Sequence, residues 1–224
     1  MNTAGAASIE ALIFDMDGVL VDSNPLHRQV WEVFNRRYGL ETTPEMHERM
    51  YGKRNDQIVR DFFGESLAEK EIFERGRAKE ALYREMASER VEELLVPGLR
   101  DFIQKYHYLP KAIATNAEPD NVNFLLDRAS LRGCFSVVVD GHQVERPKPY
   151  PDIYLRAAEL LGKSPSECVV FEDSHSGINA ALAAGMKVIG ITTTHVNLPG
   201  TSLTVDNFLS RELASWLEAQ FRQD

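Results

Sequence analysis

Short apolar runs rich in Val or Ile constrain this chain more than any other feature. They are Ile9 to Phe14, Lys111 to Ala114, Ser136 to Val139, Cys168 to Phe171 and Lys187 to Ile191. Runs of this length, nearly continuous rather than alternating with polar residues, are those of strands covered on both faces. Between them lie helical patterns. Leu99, Phe102, Ile103 and Tyr106 fall at i, i+3, i+4 and i+7 behind Pro97 and Gly98. Ile153, Ala157, Leu160 and Leu161 repeat that spacing and stop at Gly162, and Ile178, Ala181 and Leu182 stop at Gly185, as helices ending on a left-handed residue do. Strands alternating with helices predict an α/β fold with a doubly wound parallel sheet.

From Asn24 to Glu93 the rhythm breaks. Helical patterns run through Val30, Val33, Phe34 and Tyr38, through Ile58, Val59, Phe62 and Phe63, and along the charged stretch from Ala68 to Glu89, with no strand among them. The chain is therefore expected to divide into an α/β core of residues 1–22 and 96–224 and an inserted helical segment of residues 23–95. The linkers are Asp22 to Leu26 and Glu92 to Gly98. At the other end, Leu213, Trp216, Leu217 and Phe221 form an apolar helical stripe expected to dock on the core.

Composition narrows the classes of function. A formal net charge of -9 over 224 residues argues against a nucleic-acid binder, which needs clustered Lys and Arg. No apolar run is long enough to span a bilayer. Met1 to Ser8 carries neither the basic nor the apolar region of a signal peptide. Cys134 and Cys168, in or near strands, read as buried thiols of a cytoplasmic protein rather than as a disulfide. No obligatory protein partner is evident.

The strand ends carry the chemistry. Crossovers in a parallel sheet are right-handed, so all carboxyl ends share one edge, where open α/β sheets bind ligands. Asp15 and Asp17 follow the first run, Thr115 and Asn116 the second, and Glu172 and Asp173 the run from Cys168. Carboxylates brought together there repel one another, and a hard divalent cation resolves the conflict. Mg²⁺ prefers oxygen ligands and keeps waters that phosphate oxygens can replace. Asp15 and Asp173 are the natural side-chain ligands, with Glu172 beside them and Asp17 contributing its backbone carbonyl. Lys148, held between Pro147 and Pro149, is placed to screen phosphate charge in an acidic protein. Thr115 and Asn116 offer a hydroxyl and an amide to phosphate oxygens.

These residues resemble the haloacid dehalogenase superfamily of aspartate-dependent phosphotransferases. Asp15-Met16-Asp17-Gly18-Val19-Leu20-Val21-Asp22-Ser23 matches its first motif, and Thr115-Asn116 its second. Lys148 matches the third, and Phe171-Glu172-Asp173-Ser174, running into Gly177-Ile178, the fourth. The resemblance implies a Rossmann-like core. It also implies that Asp15 attacks phosphorus to form an aspartyl-phosphate, and that Asp17 serves first as general acid and then as general base. Mg²⁺ and Lys148 would stabilise the charge of the transferring group. Because Asp17 is kept, a phosphate-ester enzyme is expected rather than a dehalogenase or phosphonate hydrolase.

The inserted segment resembles the small helical cap of the β-phosphoglucomutase-like subgroup, which closes over the site and excludes water. His27 matches in spacing a cap-linker histidine that helps control closure. Arg54, in Gly52-Lys53-Arg54-Asn55, matches a cap arginine that holds a second phosphate. Two departures stand out. Pro147 replaces a Gly common before the lysine. Where the subgroup's mutases carry a cap lysine, Arg84, Glu85 and Met86 stand here, with Lys79 a turn or more earlier. The leading expectation is a phosphatase acting on a small phosphorylated metabolite such as a sugar phosphate. The alternative is a β-phosphoglucomutase-type mutase. A non-catalytic phosphometabolite-binding module would require a broken motif, and none is broken.

Overall fold

The computed structural model describes residues 8–51 and 53–221. Residues 1–7, Gly52 and the last three residues lie outside that description. Strand β1 (Ala11–Phe14) is followed by helices α1 (Asn24–Arg36), α2 (Pro44–Met50), α3 (Asn55–Phe63), α4 (Glu69–Ala87) and α5 (Val91–Leu94). Helix α6 (Leu99–Lys105), strand β2 (Lys111–Thr115), helix α7 (Pro119–Arg128) and strand β3 (Val137–Asp140) come next. Helix α8 (Asp152–Leu161), β4 (Cys168–Glu172), α9 (His175–Ala183), β5 (Lys187–Ile191), β6 (Leu203–Val205) and α10 (Arg211–Phe221) complete the described chain.

The strands form one six-stranded sheet in the order β3-β2-β1-β4-β5-β6, and every pair is parallel. The expected α/β architecture is therefore present. Strand β6 is the addition. Its three residues are too few to carry a periodic signal, and it forms because the edge of β5 offers Ile189 to Ile191 for pairing. Strands β2, β3 and β4 each run one residue further than their apolar runs. The ladder thus takes Thr115, Asp140 and Glu172 into its last rungs.

β1 lies at the centre and is wholly buried. Successive side chains of a strand point to opposite faces, so Leu12 and Phe14 join one apolar cluster while Ala11 and Ile13 join another. The first cluster includes residues of α6, α7 and α10, with Phe14 stacked on Phe171 at 4.7 Å. The second gathers α8 and α9. Leu213 and Leu217 sit in the first with Trp216 and Phe221 against it, so the C-terminal stripe docks as expected. Cys168 is buried, whereas Cys134 lies half-buried in a short 3-10 turn ahead of β3; both are free thiols.

Helices α1 to α4 bury a third cluster around Val30, Trp31, Phe34, Val59 and Ile72. α2 had no periodic signal; Thr43 caps it by accepting from the Met46 amide, and Pro44 opens it, as helix starts favour. The chain leaves and re-enters the sheet side by side, with Val21 bridged to Leu95. Among the described residues, no helix is long and apolar enough to cross a membrane.

Candidate active site

The parallel register brings the acidic residues together. Phe14 is level with Phe171, and the Asp15 amide donates to the Phe171 carbonyl at 3.0 Å. Asp15 therefore leaves the sheet beside Glu172 and Asp173. One carboxylate oxygen from each of these three buried residues lies within 4.8 Å of the others.

Lys148 is buried among them. Its Nζ stands 2.8 Å from Asp15 Oδ1 and 2.7 Å from Glu172 Oε1. Glu172 is saturated by protein donors: the Tyr154 hydroxyl reaches Oε1 at 2.8 Å, and Oε2 accepts from the amides of Asp173 and Ser174 and from the Ser174 hydroxyl. Glu172 thus fixes Lys148 and the turn into α9 while remaining grouped with Asp15 and Asp173 as a carboxylate that could hold a metal ion. Asp173 is different. Its Oδ2 accepts from Asn24 Nδ2 at 3.3 Å and from the hydroxyl of Thr194.

Two glycines make room for these carboxylates. Gly18 has φ +81°, and a Cβ there would lie 1.8 Å from Asp173 Oδ2. A Cβ on Gly177 would lie 1.6 Å from Glu172 Oε1.

The electrostatics call for a cation. Burial pushes Asp15 up to about 7, the repulsion of Glu172 and Asp17 adds to this, and Lys148 only partly offsets it. Burial, Glu172 and Asp15 push Asp173 well above the usual carboxylate range. For Glu172 burial acts in the same direction, but Lys148 outweighs it and holds the group low. An oxygen-only donor set with Asp15 and Asp173 facing each other suits a hard divalent cation, which would relieve the repulsion that helps raise both groups. The residues present fit such an ion.

Asp17 turns away from this cluster. Its Oδ1 accepts from the Ser23 hydroxyl at 2.5 Å and lies 3.5 Å from His27 Nε2. Burial would raise its pKa, yet the hydrogen bonds of His27 and Ser23 and the charge of Lys79 hold it below the ordinary value. Its carboxylate is thus no part of the metal cluster, and any part in metal binding is left to its backbone.

Lys79 is the residue that sequence reasoning discounted. Its Nζ is 2.8 Å from His27 Nδ1 and 2.7 Å from Glu80 Oε1. Glu80 also accepts from Asn55 Nδ2 at 2.6 Å and, on its other oxygen, from Asn121 Nδ2 at 2.5 Å. The signal was present: Lys79 and Glu80 fall on the same face of α4 as the buried Ile72, Gly76, Tyr83 and Ala87, and charges on a buried face need partners. Arg84 instead reaches Asn121 and Asp120 on α7.

These residues surround a cavity of about 80 Å³ lined by Asp15, Asp17, His27, Lys53, Lys79, Thr115, Asn116, Lys148 and Asp173, among others. The expected residues other than Glu172 and Arg54 line it. The Arg54 guanidinium bonds Asp56 and the Gly141 carbonyl instead, and its neighbour Lys53 faces the cavity. Thr115 lines the wall while accepting from the Ala117 amide at 3.1 Å.

A parallel sheet with a buried acidic cluster and a lysine at its carboxyl edge, beside helices inserted after β1, defines a class of enzyme. The chain belongs to the haloacid dehalogenase-like hydrolases, whose family model matches residues 9–185. Within that family it is β-phosphoglucomutase-like. It is 34% identical over 181 residues to fructose-1-phosphate phosphatase YqaB of Escherichia coli, covering 80% of this chain and 95% of that protein. It is 29% identical to the β-phosphoglucomutase of Bacillus subtilis, covering 82% and 83%. A solved structure of mutant CbbY from Rhodobacter sphaeroides, in complex with xylulose-(1,5)bisphosphate, superposes with a TM-score of 0.78 at 29% identity, covering 89% of this chain and 95% of that one.

Proposed function

We propose that this enzyme is a Mg²⁺-dependent phosphatase of a small sugar phosphate, acting in the cytoplasm through an aspartyl-phosphate on Asp15. The observation that carries the reading is the placement of Asp15 against Lys148, with Asp17 beside it on the same cavity wall. Asp15 attacks phosphorus, and the bond to the leaving oxygen breaks as Asp17 delivers its proton there. The carboxylate of Asp17 then takes a proton from water, whose oxygen attacks the phosphoryl group and frees Asp15. Arrival of an anionic phosphoryl group beside Asp17 raises its pKa, which gives it the proton the first step needs. Thr115 and Asn116 hold phosphoryl oxygens, and Lys148 balances their charge. Asp15, Asp173 and the backbone of Asp17 would hold Mg²⁺, which when bound neutralises charge on the nucleophile and the phosphoryl oxygens.

Residues 23–95 act in this reading as a cap. The cavity is lined both by these helices and by the sheet edge, so movement of the cap would change a sugar phosphate's access to Asp15. His27, joining Asp17 to Lys79, links cap position to the acid–base group. The named activity of the E. coli relative supports a sugar phosphate as substrate.

A mutase reading has one observation in its favour, the presence of Lys79 in the cavity. The two readings part on what attacks the aspartyl-phosphate. Phosphate release and isomerised product are to be measured together on a panel of sugar phosphates, with and without a bisphosphate primer. Free phosphate that requires Mg²⁺ and disappears in Asp15→Asn supports the phosphatase; isomerisation without phosphate release overturns it.

A further inference from the structure

We infer that the end of the cavity away from Asp15 accepts the uncharged, hydroxyl-bearing part of a monophosphate and rejects a second phosphate, and that Glu80 and Glu118 set this selectivity. The inference rests on the phosphatase reading, in which Asp15 takes the phosphoryl group.

Lysines line the cavity in three places, and each is already matched by a carboxylate. Lys148 is shared between Asp15 and Glu172. Lys79 is 2.7 Å from Glu80, with side chains 3% and 6% exposed. Lys53 is 2.5 Å from Asp61. That last pair is about a third exposed and screened by water. The pair formed by Lys79 and Glu80 is neither, so its cancellation of charge is felt across the cavity. Burial alone would raise the pKa of Glu80, but the charge of Lys79 and the donated bonds of Lys79 and Asn121 hold it below the usual carboxylate range. It is therefore ionised at neutral pH.

The opposite wall adds negative charge rather than removing it. Glu118, at the head of α7, lines the cavity and has His142 Nε2 at 3.0 Å as its partner. Arg54, the cation that could have met a second phosphate, is bonded to Asp56 and Gly141. What remains for a ligand at this end are amides: Asn55 and Asn121 both line the cavity. Glu80 accepts an N–H from each, which fixes how their remaining polar atoms are presented. Amides and paired carboxylates exchange hydrogen bonds with hydroxyls at little cost. A phosphate dianion placed there would lose its hydration beside Glu118 and a neutralised lysine, with no net positive charge in return.

The test is phosphate release by the Mg²⁺-loaded enzyme from fructose 1-phosphate and glucose 6-phosphate, set against fructose 1,6-bisphosphate and glucose 1,6-bisphosphate. The monophosphates are expected to exceed the bisphosphates in kcat/KM by about tenfold or more, which corresponds to about 1.4 kcal/mol. Glu80→Gln, which unmasks Lys79, and Glu118→Gln, on the rim, are each expected to shift the ratio toward the bisphosphates. Should Glu80→Gln fail to fold, Glu118→Gln carries the test alone. Bisphosphates used as well as monophosphates, or a ratio unmoved in the folded variants, overturn the selectivity while leaving the phosphatase reading intact. Phosphate release that survives Asp15→Asn, or a panel in which no monophosphate is hydrolysed, overturns both.

Discussion

Lys79 Nζ lies 2.8 Å from Nδ1 of His27. A lysine ammonium can only donate, so Nδ1 accepts and the ring proton sits on Nε2, the nitrogen facing Asp17 at 3.5 Å. A residue of α4 thereby sets the tautomer of the histidine beside Asp17, the acid–base group of the proposed reaction. The ring is held by stacking on Tyr83 at 4.1 Å, which removes its freedom to turn over.

Replacing Lys79 therefore has two expected effects. In Lys79→Met, Glu80 stays buried with amide partners but no adjacent cation, and the loss is expected to reach about 3–5 kcal/mol, read from the urea midpoint at unchanged slope. Because His27 loses its donor, kcat is expected to drop as well, by about 10²-fold. A variant with wild-type stability and wild-type kcat would refute both effects.

Thr194 holds Asp173, a ligand of the proposed Mg²⁺ site, without belonging to the family motifs. Its hydroxyl donates to Asp173 Oδ2 from the loop between β5 and β6. Removing such a partner lowers metal affinity by about 10- to 100-fold. For Thr194→Val, the Mg²⁺ concentration giving half-maximal activity is expected to rise by that factor while kcat at saturating Mg²⁺ holds. Titration calorimetry with Mg²⁺ alone checks the same shift apart from catalysis.

Gly18→Ala is expected to damage the site from the backbone. Its φ of +81° is costly for any side chain, and the new methyl would lie 1.8 Å from Asp173 Oδ2. Strain of this kind costs about 1–3 kcal/mol, and displacement of Asp173 adds a loss of Mg²⁺ affinity. Thermal unfolding with and without Mg²⁺ separates the two: the stabilisation by Mg²⁺ should shrink more than the stability of the metal-free protein.

Cys168 offers a pH test away from the site. Burial is the main cause that pushes its thiol from 9.0 up to about 11, with the charge of Glu167 adding. The folded chain thus holds this proton where the unfolded chain releases it, so its contribution is full below pH 9.0 and fades as pH rises toward about 11. Wild type should lose more stability over that window than Cys168→Ala. Mass spectrometry after brief iodoacetamide treatment at neutral pH should find Cys134 modified before Cys168.

What the sequence made legible follows from where each signal resides. Asp15, Thr115, Lys148 and Asp173 could be placed together because strand ends in a parallel sheet share an edge, and local runs reveal those ends. The placement of Lys79 in the cavity lining and of Arg54 on Gly141 was not legible, because it depends on side-chain direction. Arg54 is one residue from the cavity-facing Lys53, and nothing in local spacing says which of the two turns inward. Glu172 could be placed with Asp15 and Asp173 because it is a carboxylate at the same edge. Only the donors Tyr154 and Ser174 reveal that its oxygens are already engaged. Thr194 and β6 come after the last clear βα unit, where short segments take their structure from the sheet edge they meet.

The two walls of the cavity draw on separate apolar clusters, which share only Leu94 and Phe124 at their margins among the described residues. Changes far apart and without common partners add nearly independently. Descendants of such a chain can therefore trade one leaving group for another by drifting in α1 to α4, while the sheet that aims Asp15 stays under its own selection. In this architecture the reaction is inherited and the diet is negotiable.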